Sequence, residues 1–126
     1  MADPTMFDEI GGETGLRPII DRFVDRVFED PMIGFFFRSS SRDRIKSKEY
    51  ELAAGHLGAN VAYTGRPLRD AHAKHAIMGG QFMRRLQILK ETLEAFEVPD
   101  HIRAHWVAHT ESLRSQITRD SGSECR

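Results

Sequence analysis

The stretch Leu68-Arg69-Asp70-Ala71-His72, which follows Tyr63-Thr64-Gly65-Arg66-Pro67, decides how the fold is interpreted. The pattern predicts a short helix between irregular segments, with the imidazole of His72 on its apolar side. Core histidines most often hydrogen-bond to a backbone carbonyl. A neutral imidazole on a short, isolated helix is also a good metal ligand. His72 is therefore either a packed core residue or a metal ligand.

Apolar residues at helical spacing predict two helices near the N-terminus. Thr5 is a candidate N-cap for a short helix over residues 6–10. A second helix opens after Gly11-Gly12, at residue 13 or 14. It ends at Asp30-Pro31, because the residue before a proline disfavours helical backbone. Its predicted buried stripe consists of Leu16, Ile20, Phe23, Val24 and Val27.

The helix predicted from about Arg42 to Ala59 carries two ionisable side chains on the face that should be apolar. Its inward stripe reads Ile45, Glu49, Leu52 and His56. Ionisable residues on the inward, normally apolar face of a helix tend to mark functional sites. Glu49 and His56 are therefore candidate site residues.

Two further helices are predicted after residue 78. Gly79-Gly80 is expected to break the chain before the first, whose stripe consists of Phe82, Leu86, Leu89, Leu93 and Phe96. Val98-Pro99-Asp100 opens the last helix, which is expected to reach about Thr118, with Ile102, Trp106 and Leu113 inward. The chain is predicted to be one all-α domain over residues 1–126, with a core over 6–118 and a flexible tail over 119–126.

The composition excludes several classes of protein. Eighteen basic and nineteen acidic residues are interspersed, with a formal net charge of −1, so neither a nucleic-acid surface nor a lipid-binding cluster is expected. Cys125 is the only cysteine, which argues against a disulfide framework and a thiolate metal site. Because no secretory signal and no apolar run of about 20 residues is visible, we expect a cytoplasmic protein without a membrane span.

Aromatic residues are more numerous than short helices need for packing on one another. The chain has eight phenylalanines, three of them consecutive at Phe35-Phe36-Phe37. This surplus indicates a flat apolar group between the helices. Because the imidazole of His72 is expected to face that flat group, the group is also expected to carry a metal ion that the imidazole binds. Haem combines both features.

The chain resembles the truncated haemoglobins, and among them most closely group I. The elements that carry the resemblance are Phe7-Asp8-Glu9-Ile10-Gly11-Gly12, Asp25-Arg26-Val27-Phe28-Glu29-Asp30-Pro31, Phe36-Phe37, Tyr63-Thr64-Gly65, Ala71-His72, Phe82 and Val98-Pro99. Their order and separations match the family over about residues 6–118, without a gap through His72.

This resemblance implies a shortened globin fold, a two-over-two helical sandwich around haem b. His72 becomes the proximal iron ligand and Phe37 the phenylalanine stacked on the porphyrin. His75 is the alternative ligand, but the spacing to Phe82 favours His72, and His75 is expected to contact a haem propionate or water. Together, the residues expected to contact haem are Phe37, Ile45, Lys48, Leu52, Tyr63, Leu68, His75 and Phe82.

The distal side of the expected pocket departs from the family pattern. The family usually has a tyrosine on the second helix and a glutamine on the distal helix, which donate hydrogen bonds to dioxygen. Val24 and Glu49 occupy these positions. Valine has no donor, and glutamate donates only when protonated. Weak retention of dioxygen is therefore expected, and nitric oxide dioxygenase activity lacks its usual donors.

Three residues are candidates to replace the missing donors. Lys48 is a candidate sixth iron ligand, although it must lose its proton to ligate. Glu49 is a candidate catalytic residue that takes and returns a proton of peroxide. Tyr50 brings a hydroxyl only if the helix is rotated. The plainer alternatives are a solvated or propionate-paired Lys48, and a Glu49 that pairs with Lys46 or Lys48.

The remaining histidines leave two interpretations open. His56 is either part of a polar network with Glu49 or a residue that closes the cavity through a bound water. His101, His105 and His109 recur every four residues, a spacing that suits metal chelation. A partly solvated face is the favoured interpretation, with His109 approaching the pocket.

Three functions are consistent with these residues. The first is a haem protein that binds diatomic gases and carries out nitric oxide or peroxide chemistry, as a haem-dependent nitric oxide dioxygenase or peroxidase-like enzyme. The second is a six-coordinate haem sensor or electron-transfer module with Lys48 as displaceable ligand. The third is a haem-free bundle whose histidine face binds metal or a partner. For the first function, the gas-binding haem protein, we also expect oxygen transport, a reductase partner and a monomer or weak dimer.

Overall fold

The computed structural model describes residues 3–65 and 79–114. These residues form α1 (Met6–Glu9), α2 (Gly12–Glu29), a 3-10 helix (Gly34–Phe37), α3 (Arg42–His56), α4 (Gly79–Ala95) and α5 (Asp100–Ser112). They contain no strand, which confirms the all-α prediction. Leu68, His72 and His75, with their predicted helix, and the predicted tail at 119–126 lie outside the described residues.

The first two helices meet at a tight joint. Thr5 caps α1 as predicted, because its hydroxyl accepts from the amide of Asp8 at 3.0 Å and its own amide donates to the Asp8 carboxylate at 3.1 Å. Gly11 and Gly12 follow with φ of 99° and 63°. Side chains other than glycine rarely adopt this left-handed backbone. The two glycines therefore turn the chain, and α2 begins at Gly12, one residue earlier than expected.

The helices are arranged as two pairs. α2 packs against α3, α4 packs against α5, and α2 also packs against α4 and so joins the pairs. This is the predicted two-over-two arrangement. Every residue of the predicted α2 stripe is buried, and so are Phe82, Leu86, Leu89 and Leu93 of α4. No helix within 3–65 and 79–114 is both long enough and apolar enough to cross a bilayer.

Several predicted boundaries were wrong. Gly79 and Gly80 are both helical residues of α4, so this helix includes the two glycines that were expected to precede it. α3 ends at His56, three residues before the predicted Ala59, because Gly58 has a φ of 106° that no helix continues. Phe96 lies just beyond the end of α4 and is 40% exposed, so it does not extend the buried stripe.

The carboxylate of Asp30 joins the end of α2 to α4. One oxygen accepts from the backbone amides of Met32 and Ile33 at 2.9 and 3.2 Å. The other accepts from Nε of Arg84 at 2.9 Å, and the guanidinium also approaches through Nη2 at 2.7 Å. The Asp30 side chain is only 3% exposed. The Arg84 hydrogen bond, aided by the two amides, holds the pKa of this carboxyl below its ordinary value of 3.8.

We expect Asp30→Ala to lower the free energy of unfolding by about 2–3 kcal/mol at pH 7, because it leaves two backbone amides without their acceptor and removes the Arg84 partner. The pKa of Asp30 is lower in the folded state. Its stabilisation is therefore full above the unfolded pKa and is lost as the pH falls through the folded one. Urea unfolding of the parent and of Asp30→Ala at pH 7 and pH 3 measures both the loss in the variant and its decrease at low pH.

Asp25→Ala is the matched control for this measurement. Asp25 lies on the same helix, but it is about one-third exposed and pairs with Lys46 and Arg42 at the surface. Its loss should cost less than about 1 kcal/mol. Equal losses in the two variants would show that Asp30 is an ordinary surface ion pair.

Candidate functional site

A small internal space lies between α2, α3, α4 and α5, and we call it the inner cavity. Its volume is about 50 Å³, which is room for a molecule of diatomic size. Most of its walls are apolar and come from Ile20, Phe23, Leu52, Ala53, Leu89, Trp106 and Leu113. Its polar lining residues are Glu49, His56, Arg85, His109 and Thr110. A cavity with mostly apolar walls and a few polar groups is typical of a small-molecule site.

Glu49 and Arg85 form an ion pair within this cavity. Nη2 of Arg85 donates to both carboxylate oxygens of Glu49 at 3.1 Å. The guanidinium also lies over the ring of Phe23, with 4.9 Å between its carbon and the ring centroid. Both charged side chains are only about one-quarter exposed. Glu49 is thus in the cavity as its inward position predicts. Its partner is Arg85, not the Lys46 or Lys48 of the plainer alternative.

Three histidines cluster at the α3–α5 side of the cavity. The rings of His56 and His109 lie 4.1 Å apart at an interplanar angle of 20°, and Nε2 of His105 donates to the carbonyl of His56 at 2.9 Å. Burial, with a contribution from His109 and His105, lowers the pKa of His56 to about 3. Burial and His105 lower the pKa of His109 as well. Both cavity histidines are therefore uncharged at neutral pH.

The alternative of a metal-chelating row on the last helix finds no support among the described residues. His101 is exposed and lies 2.7 Å from the Glu9 carboxylate, whereas His105 and His109 contact His56. Within the described ranges no group of three or more His, Cys, Asp or Glu side chains is arranged to hold a metal ion. The expectation that His109 approaches the pocket agrees with its position in the cavity lining.

The predicted haem contacts have different surroundings. Leu52 lines the inner cavity, and Phe82 is 1% exposed. Phe37 stacks on Phe28 with 5.1 Å between ring centroids, and it packs on the core while only half buried. Ile45 is likewise half buried against the core. Leu52 is therefore the predicted haem contact that the structure brings together with Glu49.

Two further predicted haem contacts, Tyr63 and Lys48, interact with residues 64–65 at the end of the described N-terminal range. The half-buried Tyr63 ring lies directly against Gly65. Nζ of Lys48 donates to the hydroxyl of Thr64 at 2.6 Å and lies 3.9 Å from the Glu51 carboxylate. The ammonium of Lys48 is thus held by the segment that follows α3.

Val24 and Tyr50 lie as the helical spacing predicts. Val24 is 2% exposed within the core. The ring of Tyr50 carries the guanidinium of Arg17, 4.2 Å from its centroid, and Tyr50 is not among the residues that line the inner cavity. Its hydroxyl therefore does not replace the donor that Val24 lacks.

Arg85 is the site residue that the sequence reasoning missed, although a signal for it was present. It follows Phe82 by three residues and precedes Leu89 by four, so it shares their inward helical face. The same argument that singled out Glu49 and His56 on α3 applies to this arginine. Its neighbour Arg84 points to Asp30.

These residues fit haem in their chemistry. The cavity walls are largely aliphatic and aromatic, and the half-buried Phe37 and Ile45 leave apolar surface uncovered. A porphyrin needs such surface, and its iron accepts a neutral imidazole as ligand. The predicted ligand His72 lies outside the described residues.

Comparison with known proteins gives the same family as the sequence motifs. Residues 5–119 match the profile of the family described as Bacterial-like globin. The group 1 truncated haemoglobin of Mycolicibacterium paratuberculosis is 32% identical over 99 residues, covering 78% of this chain and 73% of that protein. The group 1 truncated haemoglobin of Synechocystis sp. is 27% identical over 108 residues, covering 82% and 87%.

The fold is also similar to solved structures. One is the crystal structure of the 2/2 haemoglobin from Synechococcus sp., in the cyanomet state and with covalently attached haem. The two structures superpose with a TM-score of 0.83 at 18% sequence identity, over 90% of this chain and 97% of that one. The profile match over nearly the whole chain and the identity to the Mycolicibacterium protein show that this chain belongs to the bacterial-like globin family, as a group 1 truncated haemoglobin that binds haem.

Proposed function

We propose that the chain holds haem b through His72 and binds dioxygen, nitric oxide and carbon monoxide beside the inner cavity, with weak retention of dioxygen. When bound, haem b provides an iron with an open coordination position for these gases. The chain provides an apolar chamber of diatomic size and one charged pair inside it. We extend the proposal to a reductase partner, because nitric oxide or peroxide chemistry requires the iron to be reduced again.

The Glu49–Arg85 ion pair is the observation that carries this proposal. Dioxygen is retained when a donor hydrogen-bonds to it, since it takes on negative charge when bound. Val24 has no donor, and both oxygens of Glu49 are acceptors of Arg85 hydrogen bonds at 3.1 Å. The carboxylate thus engages the guanidinium and puts a negative charge into the cavity. The negative charge opposes that of bound dioxygen, and the part of the guanidinium that Glu49 engages is not available to dioxygen, so both effects weaken the hold on it.

The same pair favours gas binding over peroxide chemistry. A general base becomes protonated when it removes a proton. Each Glu49 oxygen accepts a hydrogen bond from Arg85. Protonation of Glu49 would cancel the negative charge that attracts Arg85, so proton removal from peroxide by Glu49 would weaken the pair.

The Lys48 contacts favour five-coordinate haem over the sensor alternative. Its ammonium donates to Thr64 at 2.6 Å, and the Glu51 carboxylate lies 3.9 Å away. Ligation of iron would require Lys48 to leave both groups and to lose a proton.

We expect His72→Gly to weaken haem retention by at least tenfold and to change the axial signature of the ferrous spectrum, because the proximal imidazole is removed. Added free imidazole should restore that signature. Optical spectra and haem transfer to a scavenger protein measure both. Unchanged spectra in the variant would exclude His72 as the ligand, and His75→Gly then tests the alternative.

We expect the ferric spectra of Lys48→Ala and of the parent to superpose, because Lys48 is held by Thr64. The measurement is the spin state of ferric haem, read from the visible bands. A low-spin parent that becomes high-spin in Lys48→Ala would establish the six-coordinate alternative in place of the open gas site.

We expect Glu49→Gln to slow dioxygen dissociation by about tenfold, because the carboxylate is replaced by an amide donor and Arg85 is released. Stopped-flow displacement of dioxygen by carbon monoxide measures this rate. Glu51→Gln is the matched control, since Glu51 lies on the same helix but does not line the cavity. Unchanged dissociation with a slower peroxide reaction would assign Glu49 to acid–base chemistry.

A further inference from the structure

Arg85 is the one permanent cation among the described residues that line the inner cavity. The cavity histidines, His56 and His109, both have lowered pKa values and are uncharged at neutral pH. Glu49 is the one carboxylate in the same lining. The field inside the cavity is therefore set by a single guanidinium and a single carboxylate.

Glu49 uses only part of the Arg85 guanidinium. Both of its hydrogen bonds come from Nη2, at 3.1 Å each. A strong arginine–carboxylate fork uses two nitrogens at about 2.7–2.9 Å. Within residues 3–65 and 79–114, neither Nε nor Nη1 of Arg85 donates a hydrogen bond. Because a guanidinium has five N–H groups, those on Nε and Nη1 are available to a second acceptor.

The surroundings strengthen any interaction with these free donors. The ring of Phe23 lies under the guanidinium at 4.9 Å, and Leu52 and Leu89 line the cavity nearby. Charges interact more strongly in such apolar surroundings than in water. The cavity volume of about 50 Å³ limits the ligand to a few heavy atoms.

We propose that Arg85 is the residue that raises the affinity of the haem pocket for small monovalent anions in the ferric protein. The inference rests on the proposed haem function and adds the residue that sets the affinity for anions. The anion accepts hydrogen bonds from the N–H groups that Glu49 leaves free. Arg85 is thus the specificity-determining residue of the pocket.

Glu49 sets the affinity for the anion in this arrangement. Its carboxylate repels the incoming charge and competes with it for the same guanidinium. Removing the charge of Glu49 should therefore raise anion affinity, whereas removing Arg85 should lower it. A mere structural role of the pair would not give changes of opposite sign, because either substitution breaks the pair.

The experiment is an optical titration of the ferric haem-loaded protein with azide and with fluoride. We expect Arg85→Met to weaken binding of both anions by at least tenfold and Glu49→Gln to strengthen it by about three- to tenfold. Arg22→Met is the matched control, because Arg22 is exposed on α2 and its loss changes the net charge equally. It should change anion affinity by less than twofold.

Saturation of the ferrous form with carbon monoxide counts the haem-loaded pockets in each variant. Loaded Arg85→Met protein that binds both anions as tightly as the parent would overturn the inference and leave the proposed function standing. A parent that never takes up haem would overturn the proposed function itself. Should Arg85→Met not fold, Glu49→Gln decides alone, and unchanged or weaker anion binding in it overturns the inference.

Discussion

The ion pair between Glu49 and Arg85 is the interaction on which the inner cavity depends. It joins α3 to α4, which belong to different helix pairs, and it lies among apolar walls where an unpaired charge would be costly. Each charge offsets the energetic cost of placing the other among the apolar walls. Because Glu49 stands where the family usually has a neutral donor and pairs with Arg85, the cavity presents both an anion and a cation to its ligand.

Two adjacent arginines on α4 carry out separate tasks. Arg84 binds the Asp30 carboxylate at the end of α2, and Arg85 binds Glu49 of α3. Neighbouring residues on a helix point in directions about 100° apart, so one turn of α4 contacts two other helices. The pair of helices formed by α2 and α3 is thereby attached to α4 by charge as well as by apolar packing. The uncharged stack of His56 and His109 completes the cavity without adding to its field.

Periodicity in the sequence predicted most helix positions and core residues, whereas it did not predict the exact helix ends or the partners of the polar side chains. The α2 stripe is buried as predicted because a single face of eighteen residues meets two other helices. Gly79 and Gly80 were expected to precede α4 but belong to it, because the unfavourable helix propensity of glycine is a weak local tendency. The regular spacing of His101, His105 and His109 suggested one site, but α1 and α3 pack against different parts of α5 and separate them.

The sequence by itself determined the all-α class, the family, haem as cofactor and the inward positions of Glu49 and His56, because each depends on spacing along one chain segment. Only the tertiary structure decided that Arg85, not Lys46 or Lys48, is the partner of Glu49, and that Lys48 instead binds Thr64. Side chains that meet across helices are brought together by packing angles and distances between elements. Periodicity within a single helix contains no information about these.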